Sequence, residues 1–177
     1  ALVGLNTDGT KFTGPHDLLC LKACKGPGKT AVLSWAGLWF TTCFEDAKIL
    51  CTSITAENLR DGLWTEFAYW INKSPILREL LTWQVERIYV KERPETWYIS
   101  ARTWPKDADK TKQANTLAGF HAPNTMLIVD EGGGVPEGVI AAGIAHHATQ
   151  GAKQENHYTL MAGNPNSLDS ALGVACT

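Results

Sequence analysis

The feature that most constrains this chain is a glycine-rich stretch near its start, "KACKGPGKTAVL" at residues 22–33. The spacing Ala23-x-x-x-x-Gly28-Lys29-Thr30 matches the phosphate-binding P-loop (Walker A) pattern except at its first position, where glycine is usual. One apolar segment precedes the stretch and another follows it, as expected of a loop between a buried strand and a buried helix. This context favours a phosphate-binding loop over a glycine-rich turn with an incidental lysine.

The chemistry of phosphate binding predicts a role for the residue types in this loop. Backbone N–H groups must surround phosphate oxygens, which glycine permits, and the helix that follows points its positive end at the anion. Lys29 would reach the β and γ phosphates of ATP, and the Thr30 hydroxyl would ligate Mg²⁺. The predicted ATP-binding residues are Cys24, Lys25, Gly26, Pro27, Gly28, Lys29 and Thr30.

A second motif, "TMLIVDE" at residues 125–131, has the form of a Walker B strand that ends in two acids. Asp130 is predicted to hold the Mg²⁺ shell, and Glu131 to polarise the water that attacks the γ phosphate. The alternative is a strand that ends in a solvated acidic turn, which Lys29 upstream in the same chain disfavours. An Asp-Glu pair favours hydrolysis over simple phosphate transfer.

A third motif is "LMAGNPNS" at residues 160–167, a strand that runs into Gly163, Asn164 and Pro165. In the usual strand order of P-loop ATPases this strand lies beside the Walker B strand. Asn164 would then sense the γ phosphate through its amide. An ordinary Asn-Pro turn is the alternative.

The rest of the chain alternates between strand and helix patterns, which predicts an α/β fold with a mostly parallel central sheet flanked by helices. Buried strands are predicted at 17–23, 47–53, 125–131 and 156–165, and helices at 29–43, 55–72, 75–83 and 135–150. Thr55 is the predicted N-cap of the second helix. Segments 84–91 and 96–103 predict an inserted antiparallel β-hairpin.

Composition fits one globular domain of 177 residues with a net charge of −2, so no overall positive field indicates nucleic acid. No apolar run is long enough for a membrane span, and the five cysteines show no metal-type pairing and suit a reducing compartment. Tryptophans in apolar patterns are expected in the core: Trp35, Trp39, Trp64, Trp70 and Trp83. His146 and His147 are expected on the surface. The lysines at 106, 110 and 112 lie in a polar loop that is either solvated or tracks phosphates.

Taken together, the motifs resemble the ATPase domain of phage terminase large subunits, the DNA-packaging motors of tailed bacteriophages. The segments that carry the resemblance are "ACKGPGKTAVLSWAGLWF", "AKILCTSITAENLRDGLW", "ERPETWYISART", "LAGFHAPNTMLIVDE" and "MAGNPNS". They occur in the family's order and cover most of residues 18–167. The P-loop alone is unspecific, whereas its combination with "TAENLRDGLW", the Walker B strand and the closing "GNP" is considerably more specific.

The resemblance implies a P-loop NTPase of the ASCE (RecA-like) type that hydrolyses ATP with Mg²⁺ and moves double-stranded DNA into a procapsid. It implies Lys29, Lys25 and Glu131 as catalytic residues, with Lys25 linking nucleotide state to force, and Gly163, Asn164 and Pro165 as the coupling motif. It further implies a ring of subunits on a capsid portal, a small terminase subunit as partner, no membrane, and the host cell cytoplasm as location.

Residues 1–177 are expected to form a single ATPase domain, a piece of a longer chain that lacks the family's C-terminal nuclease domain, so no DNA cleavage is expected. Three departures from the family stand out. Ala23 starts the P-loop. Ala118 occupies the usual arginine position, which leaves Arg102 as the candidate arginine finger. Three glycines follow Glu131 and predict a mobile loop. The alternatives are another RecA-like DNA translocase or helicase, and a non-hydrolysing nucleotide-binding or assembly module.

Overall fold

The computed structural model describes residues 18–103, 122–135 and 156–164, together with Leu172. The strands are β1 (Leu18–Lys22), β2 (Lys48–Thr52), β3 (Leu81–Trp83), β4 (Arg87–Val90), β5 (Tyr98–Ala101), β6 (Asn124–Val129) and β7 (Asn156–Gly163). The α-helices are α1 (Lys29–Cys43), α2 (Ala56–Asn58), α3 (Thr65–Lys73) and α4 (Pro75–Leu80). A π-helical segment, Leu59–Trp64, joins α2 to α3, and a 3₁₀ turn, Gly132–Gly134, follows β6.

All seven described strands form one sheet in the order β1-β7-β6-β2-β5-β4-β3. The first five in this order are parallel, and β4 and β3 continue the sheet in antiparallel fashion. The predicted α/β fold with a mostly parallel sheet and an inserted hairpin is therefore confirmed. Because β7 lies between β1 and β6, the three motifs meet at the carboxyl edge of the sheet, where α/β proteins bind ligands.

The central strands β2 and β6 are buried on both faces of the sheet, as their runs of apolar residues predict. Met126 and Ile128 of β6 pack in the larger core cluster with α1 and α3, whereas Leu127 and Val129 point into a smaller cluster on the opposite face. The described residues of this second face include Leu172, but the helix predicted at 135–150 lies outside them beyond its first residue.

The helices begin where their capping residues predict. The Thr55 hydroxyl accepts a hydrogen bond from the backbone N–H of Asn58 at 3.0 Å, which confirms Thr55 as an N-cap. Ser74 caps α4 in the same way, with Pro75 in the first turn. The predicted helix 75–83 is wrong at its end, because residues 81–83 form the edge strand β3. There Leu81 is buried and pairs with Val90 of β4.

Two of the five tryptophans predicted to lie in the core are instead exposed. Trp64 is buried, and Trp39 and Trp70 are partly buried, but the exposed fractions of Trp35 and Trp83 are 49% and 41%. The ring of Trp35 packs edge-on against Trp70 with the centroids 5.1 Å apart, so this pair lies at the surface between α1 and α3. Helix α1, expected to be buried on nearly every side, is therefore open along one side.

Within the described residues, no helix combines the length and apolarity that crossing a membrane needs. Several predictions lie outside the described residues: the loop with lysines 106, 110 and 112, the surface histidines His146 and His147, and Pro165.

Candidate functional site

The loop between β1 and α1 has the backbone conformation that its glycines permit. Gly26 and Gly28 have φ angles of 92° and 87°, in the left-handed region where a side chain would be strained. Ala23 donates its N–H to the Gly163 carbonyl at 3.3 Å, which ties the start of the loop to the end of β7. Residues 24–28 are exposed, so the loop faces solvent with α1 behind it.

The side chain of Lys29 turns back into this loop and is 9% exposed. Its ammonium donates to the carbonyl oxygens of Ala23 at 3.1 Å and Cys24 at 2.7 Å, and to the side-chain oxygen of Asn164 at 2.9 Å. All three protons of the ammonium are thus used. Asn164, the residue predicted to sense the γ phosphate, is therefore hydrogen-bonded to Lys29, the residue predicted to bind that phosphate.

The predicted metal ligands lie next to each other although they are 100 residues apart. The Thr30 hydroxyl donates to Oδ2 of Asp130 at 3.3 Å, and the backbone N–H of Glu131 donates to Oδ1 at 3.0 Å. Burial raises the pKa of the Asp130 carboxyl, and the hydrogen bond from Glu131 opposes this rise. The charge of Asp130 is in turn the second cause, after burial, of the raised pKa of the Cys51 thiol.

The residues around Asp130 fit a Mg²⁺ ion. Within the described part of the chain Asp130 forms no ion pair, so its buried charge lacks a direct cationic partner. A carboxylate and a hydroxyl are hard oxygen donors, and Mg²⁺ typically takes one or two carboxylates and completes its shell with water and substrate phosphates. The same described residues hold no group of three or more His, Cys, Asp or Glu side chains that could bind a metal ion.

Glu131 lies directly after β6 in the left-handed conformation, with φ 54° and ψ 40°. This conformation is uncommon outside glycine and turns the chain sharply out of the strand direction. The side chain is half-buried. The chain therefore leaves the line of β6 at Glu131.

The three glycines after Glu131 allow close packing in this turn. The sequence instead suggests that these glycines make the loop mobile. A Cβ atom on Gly133 would lie 2.5 Å from the backbone oxygen of Asn164, and one on Gly132 would lie 2.5 Å from the Met161 side chain. A Cβ on Gly163 would lie 2.9 Å from the Gly133 nitrogen. The turn after β6 and the end of β7 are therefore in direct backbone contact.

The remaining predicted residues, Cys24, Lys25 and Arg102, are at the same edge of the sheet. Lys25 and Cys24 are exposed within the loop. Arg102 is exposed directly after β5, and its N–H donates to the Cys51 carbonyl at 2.9 Å. Two strand spacings separate β5 from β6, roughly 10 Å. Arg102 is thus exposed at the same edge of the sheet as the site.

One residue at the site escaped sequence reasoning. Gly62, in the π-helical segment, lies beside the site: a Cβ there would be in ordinary van der Waals contact, 3.7 Å from Oδ2 of Asp130 and 4.0 Å from the Thr30 methyl carbon. The only signal in the sequence is a glycine inside a helical pattern, which suggests a packing reason without naming the partner. π-Helical turns are rare and occur frequently at functional sites.

Comparison by sequence finds no relatives: no protein-family model matches the chain, and no curated protein matches it. Solved structures, however, share its fold. The large terminase of a thermophilic bacteriophage matches with a TM-score of 0.66 and 16% identity, over 91% of this chain and 37% of that one. The large terminase of bacteriophage HK97 matches with a TM-score of 0.63 and 14% identity, over 90% and 32%. The large terminase ATPase domain of Thermus phage P74-26 matches with a TM-score of 0.60 and 10% identity, over 89% and 63%.

The chain spans about a third of the two longer terminases that it matches, which have 37% and 32% of their lengths covered. One of the matching structures is a terminase in complex with ADP, with a TM-score of 0.56 and 16% identity. At such low sequence identity the matches show a shared fold alone. The chain therefore has the RecA-like P-loop fold of phage large terminase ATPase domains.

Proposed function

We propose that this protein binds ATP with Mg²⁺ and hydrolyses it, and that the hydrolysis drives double-stranded viral DNA into a procapsid. The observation that carries the proposal is the meeting of Lys29 with Asn164 and of Thr30 with Asp130 at one edge of the sheet. A phosphate loop beside an oxygen-donor metal site is the arrangement that phosphoryl transfer needs. The fold of phage large terminases, one of them an ADP complex, supports the same function.

Nucleotide binding begins in the loop. The N–H groups around Gly26 and Gly28 can turn toward phosphate oxygens, and the start of α1 adds the positive end of a helix dipole. The Lys29 ammonium must exchange at least one of its three acceptors for a phosphate oxygen, because no proton of the ammonium is unused. Lys25, exposed in the same loop, adds positive charge near the γ phosphate.

Thr30 and Asp130 would hold Mg²⁺, Thr30 through its hydroxyl and Asp130 directly or through water. When bound, the ion would neutralise the charge that develops on the β and γ phosphates. Oδ1 and Oδ2 of Asp130 each accept one hydrogen bond from described residues and retain acceptor capacity. The bond from Glu131 also fixes the orientation of the carboxylate.

Hydrolysis is assigned to Glu131, which would orient a water and accept its proton as the water attacks the γ phosphorus. The bond between the γ phosphorus and the bridging oxygen breaks, which leaves ADP and inorganic phosphate. A basic residue of a neighbouring subunit, with Arg102 as the candidate, would stabilise the charge on the transferred group.

Asn164 would couple this chemistry to movement through its contact with Lys29. When phosphate withdraws the lysine, the Asn164 amide loses or changes a partner, and the change is passed to β7. The DNA cargo, a ring on a portal, a small terminase subunit and action in the host cytoplasm belong to the same proposal. They follow from the likeness to large terminases, of which this chain spans a minor part.

The deciding experiment measures phosphate release from the purified protein with ATP and Mg²⁺. We expect Glu131→Gln to lower turnover by about 10²- to 10⁴-fold, because it removes the base, while binding of fluorescent ATP is retained. Glu86→Gln, which neutralises an exposed acid in the turn between β3 and β4, is the control and should leave turnover unchanged.

Equal turnover in Glu131→Gln and the unsubstituted protein would remove Glu131 from its role. Nucleotide binding without any phosphate release, at low and at high protein concentration, would favour a non-hydrolysing module. Strand separation instead of packaging in a capsid extract would favour a helicase.

A further inference from the structure

Strand β2 ends at Thr52 and Ser53 follows it directly, and both hydroxyl side chains are fully buried. Within the described residues neither hydroxyl has a hydrogen-bond partner. A buried polar group that loses its partners costs about 1–3 kcal/mol, so native proteins rarely retain one without a reason. Two adjacent instances at the edge of a proposed catalytic site raise the question of which partner each hydroxyl takes when a ligand is bound.

The pleat of the sheet separates the two hydroxyls. Side chains alternate between faces along a strand, and Cys51 lies in the core cluster on the α1 face. Ser53, two residues later, belongs to the same face, and Thr52 to the opposite one. Leu50, which shares the parity of Thr52, lies in the smaller cluster on that opposite face.

Asp130 is on the same face as Ser53 and at the same level of the sheet. Met126 and Ile128, which share its parity in β6, pack on the α1 face, and Asp130 accepts the hydrogen bond from Thr30 at the start of α1. The register pairs Thr52 with Val129, and the Asp130 N–H donates to the Thr52 carbonyl at 2.9 Å. The next pair along the two strands is therefore Ser53 with Asp130.

The chemistry of this corner indicates which partner the Ser53 hydroxyl lacks. Mg²⁺ dehydrates reluctantly and usually keeps several waters when one carboxylate and substrate phosphates hold it. Such waters need acceptors and donors beyond the metal ligands themselves, and these outer contacts orient the whole shell. Ser53 is a small, uncharged group that can donate and accept, on the side of Asp130 away from the P-loop strand.

We propose that Ser53 is a positioning residue whose hydroxyl hydrogen-bonds a water of the Mg²⁺ shell beside Asp130. The inference rests on the proposed function, because it needs nucleotide-bound Mg²⁺ at this edge. It assigns no such role to Thr52, whose hydroxyl faces the other side of the sheet. Thr52 therefore provides a matched control, because its adjacent hydroxyl is equally buried and also has no partner among the described residues.

The test compares Ser53→Ala with Thr52→Val, each of which removes one buried hydroxyl without adding bulk. Binding of N-methylanthraniloyl-ATP is followed by fluorescence as Mg²⁺ is titrated, and the melting temperature without nucleotide is measured in parallel. We expect the Mg²⁺ concentration at half-maximal binding to rise about tenfold in Ser53→Ala, the effect typical of losing an outer-shell contact. Thr52→Val should leave this midpoint unchanged, and both variants should melt no lower than the unsubstituted protein.

An unchanged Mg²⁺ midpoint in Ser53→Ala would overturn the inference while leaving the proposed function intact. Equal shifts in both variants would also overturn it, since they would report a general effect of the β2 terminus. If the unsubstituted protein binds the fluorescent nucleotide equally well with and without Mg²⁺, or does not bind it, the proposed function fails and the role of Ser53 fails with it.

Discussion

The contact between Asn164 and Lys29 predicts opposite effects for two substitutions at one position. The Asn164 side-chain oxygen is one of three acceptors for the nearly buried Lys29 ammonium. Hydrogen bonds to charged groups contribute about 1.5–3 kcal/mol, and the lower end applies because two carbonyl acceptors remain in Asn164→Ala. The loss of about 1.5 kcal/mol should lower the melting temperature by about 3–6 °C in a chain of this size.

The same bond opposes nucleotide binding, because a phosphate must draw the ammonium away from it. Removing the bond should therefore tighten ADP binding, and 1.4 kcal/mol corresponds to about tenfold in affinity. Asn164→Asp should act in the reverse direction, since a carboxylate holds the ammonium more strongly and repels phosphate. We expect a higher melting temperature without nucleotide and weaker ADP binding in that variant.

ADP is the right probe because it lacks the γ phosphate that the Asn164 amide could contact directly. Isothermal titration calorimetry gives the ADP affinities, and scanning calorimetry without nucleotide gives the melting temperatures. If Asn164→Ala weakens ADP binding, or if both variants shift ADP affinity in the same direction, the idea that Asn164 competes with phosphate for Lys29 is wrong.

Three further predictions follow from the site. Gly163→Ala should lower the melting temperature by about 4–8 °C, because the new Cβ would lie 2.9 Å from a backbone atom and overpacking costs about 2 kcal/mol. The control is Gly62→Ala, whose new Cβ would lie 3.7 Å from its nearest described neighbour and which should melt at the normal temperature. Equal melting temperatures of the two variants would contradict the reasoning. Lys25→Ala should leave the melting temperature unchanged, since the side chain is exposed, but should lower phosphate release; unaltered release would take Lys25 out of the site. If Arg102 acts on the site of a neighbouring subunit, the Arg102→Ala and Glu131→Gln variants should each be inactive alone but should release phosphate when they are mixed. A mixture that is as inactive as each variant alone would exclude that role.

The features that sequence predicted well are those set by local chemistry. Few backbone conformations are compatible with the glycines of the P-loop, which have positive φ. The same holds for the apolar strands that precede Lys29 and Asp130, so the positions of all three features in the fold could be derived. The neighbouring placement of β6 and β7 followed from the usual strand order of P-loop ATPases, and it is confirmed.

The features that sequence missed depend on tertiary contacts. Nothing local distinguishes residues 81–83 from the end of a helix; pairing with β4 decides that they form a strand. Trp35 lies in an apolar helix but packs on Trp70 at the surface, because the partner elements leave that side of α1 open. The position of Gly62 beside Asp130 depends on a π-helical turn, which no residue pattern in the sequence predicts.

The backbone contact between the turn after β6 and the end of β7 has a mechanical consequence. Because Gly132, Gly133 and Gly163 have no side chains, the two segments pack too closely for a Cβ atom to fit between them. In the proposed mechanism, a displacement of Glu131 would be transmitted through this backbone contact to Asn164, whose side chain accepts a hydrogen bond from Lys29. Hydrolysis and its coupling to movement, as proposed, would then be linked by direct backbone contact at this edge of the sheet.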